Sequence, residues 1–199
     1  MLFMLTRYII SAVIFVPLII ILNKKKILKK KYAAPIIIVA FLLFSSAISS
    51  FPVENAFLRF DTPEQAFYYV ETGKYDYVVE GENSSMVVYK KDSNTYSQIF
   101  LLKDEKGYML NSFYGYALID RIFDGNHALD IFKVKNTDDY YITGVLVSDA
   151  SNIELKSDTR DVVCNVFYKE NSVIFYAYVK EYADDIYLVC DGEKVELQN

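Results

Sequence analysis

The sequence predicts a membrane-anchored protein of α+β, mainly β class. The expected order is two N-terminal transmembrane helices, one short amphipathic helix, an antiparallel β meander, and a β-sandwich-like C-terminal part for which an Ig-like module is one form. Charge partition is the first ground. Residues 1–50 hold Arg7 and six lysines and no acid, a charge of +7 that leaves −12 for the rest of a chain whose net charge is −5. The second ground is a pair of long apolar runs on either side of those lysines. The third is a series of short segments rich in Tyr, Val and Ile, cut by turn residues.

Between residues 2 and 22 the sole charge is Arg7, and residues 8–22 are apolar enough to cross a bilayer once Arg7 snorkels to the interface. Pro17 kinks such a helix without forbidding it. Residues 33–51 carry no charge over roughly the length required by a hydrocarbon core of about 30 Å, which predicts a second span. The loop between them, residues 23–32, contains Lys24, Lys25, Lys26, Lys29, Lys30 and Lys31. Lysines so close to a span resist translocation, so the loop is expected in the cytoplasm. The N-terminus and the C-terminal body then lie outside, a multi-pass topology in the cell membrane. Ala47-Ile48-Ser49 also presents small residues where a signal peptidase reads them, so cleavage after Ser49 is the alternative to a retained anchor.

Residues 51–55 read as the exit from the bilayer. Thr62 then offers a cap, Pro63 suits the first helical position and Gln65 completes a capping box. With Ala66, Phe67 and Val70 at helical spacing and Gly73 as the stop, a helix is predicted over 62–72. Strands are predicted at 75–80, 85–90, 96–103 and 108–113, separated by polar turns, as a meander closing over that helix. A second set lies at 128–134, 140–147, 153–156, 162–168, 172–180, 186–191 and 194–197, with the spacing of an antiparallel sandwich. The expected division is a hairpin over 1–51, a small α+β domain over 60–122 and a sandwich-like domain over 123–199. Whether 60–199 form one domain or two stays open, because residues 114–123 are no flexible linker.

The run Phe60-Asp61-Thr62-Pro63-Glu64-Gln65-Ala66-Phe67, followed by Gly73, by Gly81-Glu82-Asn83-Ser84-Ser85-Met86 and by Lys106-Gly107-Tyr108, resembles uncharacterised small membrane-anchored proteins of low-GC Gram-positive bacteria. The stretch from Asp139-Tyr140-Tyr141 to Gly192-Glu193-Lys194-Val195 resembles their C-terminal parts. The resemblance implies an envelope location and no activity, catalytic residue or cofactor.

Candidate chemistry is sparse. The acidic body lacks the Lys and Arg clusters that nucleic acid requires. His127, the single histidine, lies between Asp124 and Asp130 and would bind a divalent ion if a bend gathered the three; a solvated loop entering a strand is the plainer reading. Cys164 and Cys190 fall in two predicted strands of a body placed outside the cytoplasm, so they are either a disulfide or two buried thiols. The neighbouring acids Asp138-Asp139 and Asp184-Asp185 read as turn residues. Tyrosine pairs such as Tyr140-Tyr141 read as core and edge packing before they read as a sugar-binding row. No phosphate loop, nucleophile elbow or metalloprotease helix is written in the chain. The expectation is therefore a non-enzymatic envelope protein, without cofactor, whose outer domain recognises a protein or cell-wall partner. The alternatives are a wall- or lipid-processing hydrolase with scattered carboxylates, and a regulator or immunity-type protein acting through its hairpin.

Overall fold

Two apolar helices lead the chain: α1 (Leu2–Lys24) and α2 (Ala33–Ser50). The computed structural model describes the whole chain except residues 1, 27–31, 93–94, 113–114, 124–126, 147–151, 160–161, 170–171, 182–185 and 196–199. The helices pack antiparallel, because Ser11 meets Ser45 while Phe15, one turn on, lies against Phe41 and Phe44 with ring centroids 5.2 and 5.4 Å apart. Among the described residues one helix, not the two expected, is long and apolar enough to cross a membrane: α1, over Leu5–Lys24. The apolar part of α2 is confined to Ala33–Ile48, because serines take over at its end. Sixteen such residues rise about 24 Å, short of a hydrocarbon core of about 30 Å.

A 3-10 turn (Val53–Ala56) leads to α3 (Pro63–Val70). Thr62 caps α3 by accepting the Gln65 N–H at 3.3 Å, and the Gln65 side chain in turn accepts the Asp61 N–H at 3.1 Å. The helix stops two residues earlier than predicted, where Glu71 turns to extended backbone.

The meander comprises β1 (Tyr75–Glu80), β2 (Ser84–Lys90), β3 (Tyr96–Asp104) and β4 (Gly107–Leu110), paired antiparallel in chain order. Next comes β5 (Tyr116–Phe123), a strand that the residue pattern did not predict. It forms the edge of a second sheet with β6 (His127–Val134), β7 (Asp139–Leu146), β9 (Val163–Lys169) and β10 (Ser172–Lys180), in the order β5-β6-β7-β10-β9. A third sheet is built from β8 (Ile153–Ser157), β11 (Ile186–Cys190) and β12 (Glu193–Val195), with β11 in the middle.

Alternation along the strands stacks these parts into four layers. Val87 and Tyr89 of β2 face α3, joining Ala66, Phe67 and Leu101 in one core. Met86 and Val88, one residue out of phase, face the second sheet and meet Phe100, Phe132 and Tyr141. β2 is buried on both faces from Ser84 to Tyr89, and its middle, Met86–Val88, is correspondingly a continuous apolar run. The far face of the second sheet, with Leu129, Ile142, Phe175 and Val179, closes on Ile153, Leu155 and Leu188 of the third sheet. The body is thus α+β with antiparallel sheets, and its sandwich has the meander laid across its outer face.

Candidate functional site

Three places in the fold gather polar or exposed groups in an unusual way. The first joins the hairpin to the body. Arg7 does not snorkel: its Nε donates to Glu54 Oε1 at 3.0 Å and its Nη2 to the Phe51 carbonyl at 3.2 Å, with the guanidinium stacked 3.8 Å from the Phe3 ring centroid. The pair is sealed, with side-chain exposures of 7% for Arg7 and 0% for Glu54. Beside it Phe3 meets Tyr69 of α3 edge-on, with centroids 6.1 Å apart. Asn55 then pairs with the end of β4 as a strand would, donating to the Leu110 carbonyl at 2.7 Å and accepting the Leu110 N–H at 3.0 Å. Arg59 reaches Asp104 at 3.1 Å and also binds the Asn55 and Leu58 carbonyls. The segment after α2 is therefore fastened to α1 on one side and to the meander on the other.

The second place is a buried latch between the first two sheets. Asp139 opens β7, and its Oδ2 accepts the Asn83 N–H at 2.8 Å and the Ser84 hydroxyl at 2.6 Å, while its Oδ1 accepts the Tyr178 hydroxyl at 2.9 Å. Tyr141 lies 2.9 Å from Ser84 Oγ, and Tyr178 also accepts the Glu82 N–H at 3.2 Å. The tight β1–β2 turn fits because Gly81 has no side chain: a Cβ there would lie 2.6 Å from the Tyr141 hydroxyl and 2.9 Å from Asp139 Oδ2. Outside the latch Lys180 pairs with Glu82 at 2.6 Å. Burial drives the Tyr141 phenol far above its ordinary range and the Tyr178 phenol up to about 12, the latter reinforced by its bond to Asp139.

A serine beside a carboxylate invites comparison with a nucleophile, but Ser84, Asp139 and Tyr141 are all fully buried. Their donors and acceptors are spent on one another, and no basic imidazole takes part, so the cluster holds two sheets together. The expectation that Asp138-Asp139 are both turn residues is thereby corrected: Asp138 is exposed, and Asp139 is an inward anchor.

The third place is the outer edge of β5, which pairs with β6 alone among the described residues. Leu118 and Ile119 are each 44% exposed there, and the register with β6 slips between Leu118 and Asp120. Bulges of this kind mark strand edges and re-aim side chains.

The remaining candidates are scattered. Asp130 is taken up by Arg121 in a two-pronged pair at 2.5 and 2.9 Å, His127 begins β6, and Asp124 lies outside the described residues. Among the described residues no group of three or more His, Cys, Asp or Glu side chains is placed to hold a metal. Cys164 and Cys190 carry free thiols, both bordering the core between the second and third sheets. Burial pushes the Cys164 thiol up to about 11 and raises that of Cys190, so neither is a ready nucleophile near neutral pH. Lys24 ends α1, with Lys25 and Lys26 just after it; Lys29, Lys30 and Lys31 lie outside the described residues, as do Asp184 and Asp185.

Sequence reasoning assigned no role to Glu54, Asn55, Ser84 or the β5 edge, and read Asp139 as a turn residue. For Glu54 a signal existed. Apart from the lysine loop, Arg7 and Glu54 are the two charges in residues 1–58, and two isolated opposite charges in apolar surroundings have reason to meet.

The exposed surface of the hairpin is sorted by chemistry. Along α1 and α2 the well-exposed large side chains are aliphatic, among them Val13, Ile20, Ile36 and Leu43. Exposed rings occur near the ends: Tyr8 and Phe51 beside the Arg7–Glu54 pair, and Tyr32 beside the lysines. No family model, no curated protein and no solved structure matches the chain.

Proposed function

We propose that this chain is an integral protein of a cell envelope, inserted by both helices, whose outer body recognises a protein or wall partner without catalysing a reaction. The observation that carries the reading is the sorted surface of the hairpin. Aliphatic side chains face outward along its length and rings flank its ends, the distribution a bilayer selects, since aromatic rings favour the headgroup level. Polarity supports the orientation. Lysines stand at the tip, and the acidic body is fastened at the opposite end through Glu54 and Asn55. With the lysines retained inside, the body is carried outside.

Recognition in place of catalysis is supported by where the polar groups go. The buried cluster of serine and carboxylate is closed to substrate, whereas the β5 edge offers Leu118 and Ile119 beside a side of the strand that no described strand pairs with. A partner strand can add to such an edge, and its register is specified by alternate side chains.

The test is a photo-crosslinking residue placed at Ile119 in intact cells, with the same residue at Glu105 in the β3–β4 turn as comparison. A discrete adduct from position 119 and none from 105 is expected. Equal, diffuse labelling from both positions would contradict recognition at this edge.

A further inference from the structure

The hairpin has a mismatch: α1 is long enough for a bilayer, whereas the apolar part of α2 rises only about 24 Å against a core of about 30 Å. The segment beyond α2 is no polar linker. Residues 51–58 read Phe-Pro-Val-Glu-Asn-Ala-Phe-Leu, and their one charge is the fully buried Glu54, neutralised by Arg7. Phe51 is 57% exposed, Phe57 61%, and Tyr8, the neighbour of Arg7, 60%.

Irregular backbone is costly at membrane depth unless its polar groups are satisfied. Here many of them are satisfied locally. The N–H groups of Phe51, Val53, Asn55, Phe57 and Leu58 donate to the carbonyls of Ile48, Phe51, Pro52 and Glu54. The Phe51 carbonyl also accepts from Arg7, and those of Asn55 and Leu58 accept from Arg59. A surface that is ringed, uncharged and hydrogen-bonded within itself is suited to the boundary between headgroups and acyl chains.

We propose that residues 51–58, with Tyr8 of α1, form an interfacial lipid-binding collar that sits in the outer leaflet and completes the span α2 begins. The collar rests on the membrane reading above. It assigns the bilayer as the occupant of this surface because the surface continues the exposed aliphatic face of the helices without an intervening exposed charge. The body is then seated directly on the leaflet instead of standing off on a linker. The Arg7–Glu54 pair lies at the interface, where each charge cancels the other.

The chain contains no tryptophan, so one introduced ring is a unique probe. The full-length protein is reconstituted in phosphatidylcholine–phosphatidylglycerol vesicles as three variants: Phe57→Trp in the collar, Leu42→Trp on the exposed face of α2, and Glu193→Trp on the third sheet. Lipids brominated on the upper acyl chain are expected to quench Phe57→Trp severalfold more than Glu193→Trp, with blue-shifted emission. Phe51→Trp should repeat the result, guarding against a local effect of one substitution. If Leu42→Trp is quenched while Phe57→Trp and Phe51→Trp behave like Glu193→Trp, the hairpin inserts and the collar is wrong. If Leu42→Trp also escapes quenching by lipids brominated near the end of the acyl chain, the membrane reading falls and the collar with it.

Discussion

At the scale of single residues, the Arg7–Glu54 pair has the sharpest energetic signature. Two charges removed from water recover their desolvation only through each other, so breaking a buried pair by removing one partner costs about 3–5 kcal/mol, while replacing both with apolar groups is close to neutral. Glu54→Leu, which strands the Arg7 guanidinium, is therefore expected to lower the unfolding free energy by about that amount. The double variant Arg7→Met with Glu54→Leu should recover most of the loss. Denaturation in detergent, read by circular dichroism, measures both; equal losses in the single and the double variant would mean that the pair does not act as a unit. Asp139 makes the complementary point about legibility. In the sequence it is one of two adjacent acids, and nothing local separates it from Asp138. Only the arrival of the β1–β2 turn, with Asn83 and Ser84 some 55 residues earlier in the chain, makes one acid an anchor and leaves the other in water.

At the scale of elements, punctuation was readable and pairing was not. The α3 start was visible because Thr62, Pro63 and Gln65 each act through the backbone of their own helix turn. The meander strands were visible because their bounding turns are polar and their interiors are not. β5 was missed because residues 114–123 mix Tyr, Leu, Asp, Arg and Phe without alternation, and a bulge at Ile119 breaks the two-residue period. For α2, counting uncharged residues overstated the span, since Ser45, Ser46, Ser49 and Ser50 are uncharged but not apolar. One strand position carries its own test. Gly144 of β7 pairs with Phe175 of β10, and a Cβ at 144 would fall on the Phe175 ring, which is fully buried. Gly144→Ala is expected to displace that ring from the core and destabilise the body by about 1–3 kcal/mol. A melting temperature unchanged from the parent would show that the ring has room elsewhere.

At the scale of the whole molecule, the layers depend on a few buried phenols remaining neutral. In the unfolded chain tyrosines ionise near pH 10, whereas in the fold Tyr178 is held up to about 12, and burial raises Tyr141 and Tyr176 further. Because the folded state keeps protons that the unfolded state releases, their contribution to stability is complete below about pH 10 and drains away as pH rises towards 12. Stability measured across that window should fall with pH, and Tyr178→Phe should reduce the slope. An identical slope in the variant would assign the alkaline loss elsewhere. The α+β class and the charge partition were legible in composition and period alone. The stacking of three sheets was not, because it depends on which face of β2 and of β7 meets which neighbour.

The orientation of the body decides the rest, and labelling with a membrane-impermeant maleimide tests it most directly. One cysteine is placed in the exposed β3–β4 turn as Glu105→Cys and one at the lysine tip as Lys25→Cys, with the signal of the native, raised-pKa thiols subtracted. In intact cells stripped of wall, Glu105→Cys is expected to react at once and Lys25→Cys only after permeabilisation. The reverse pattern, with Lys25→Cys labelled in intact cells and Glu105→Cys protected, would contradict the outward-facing body.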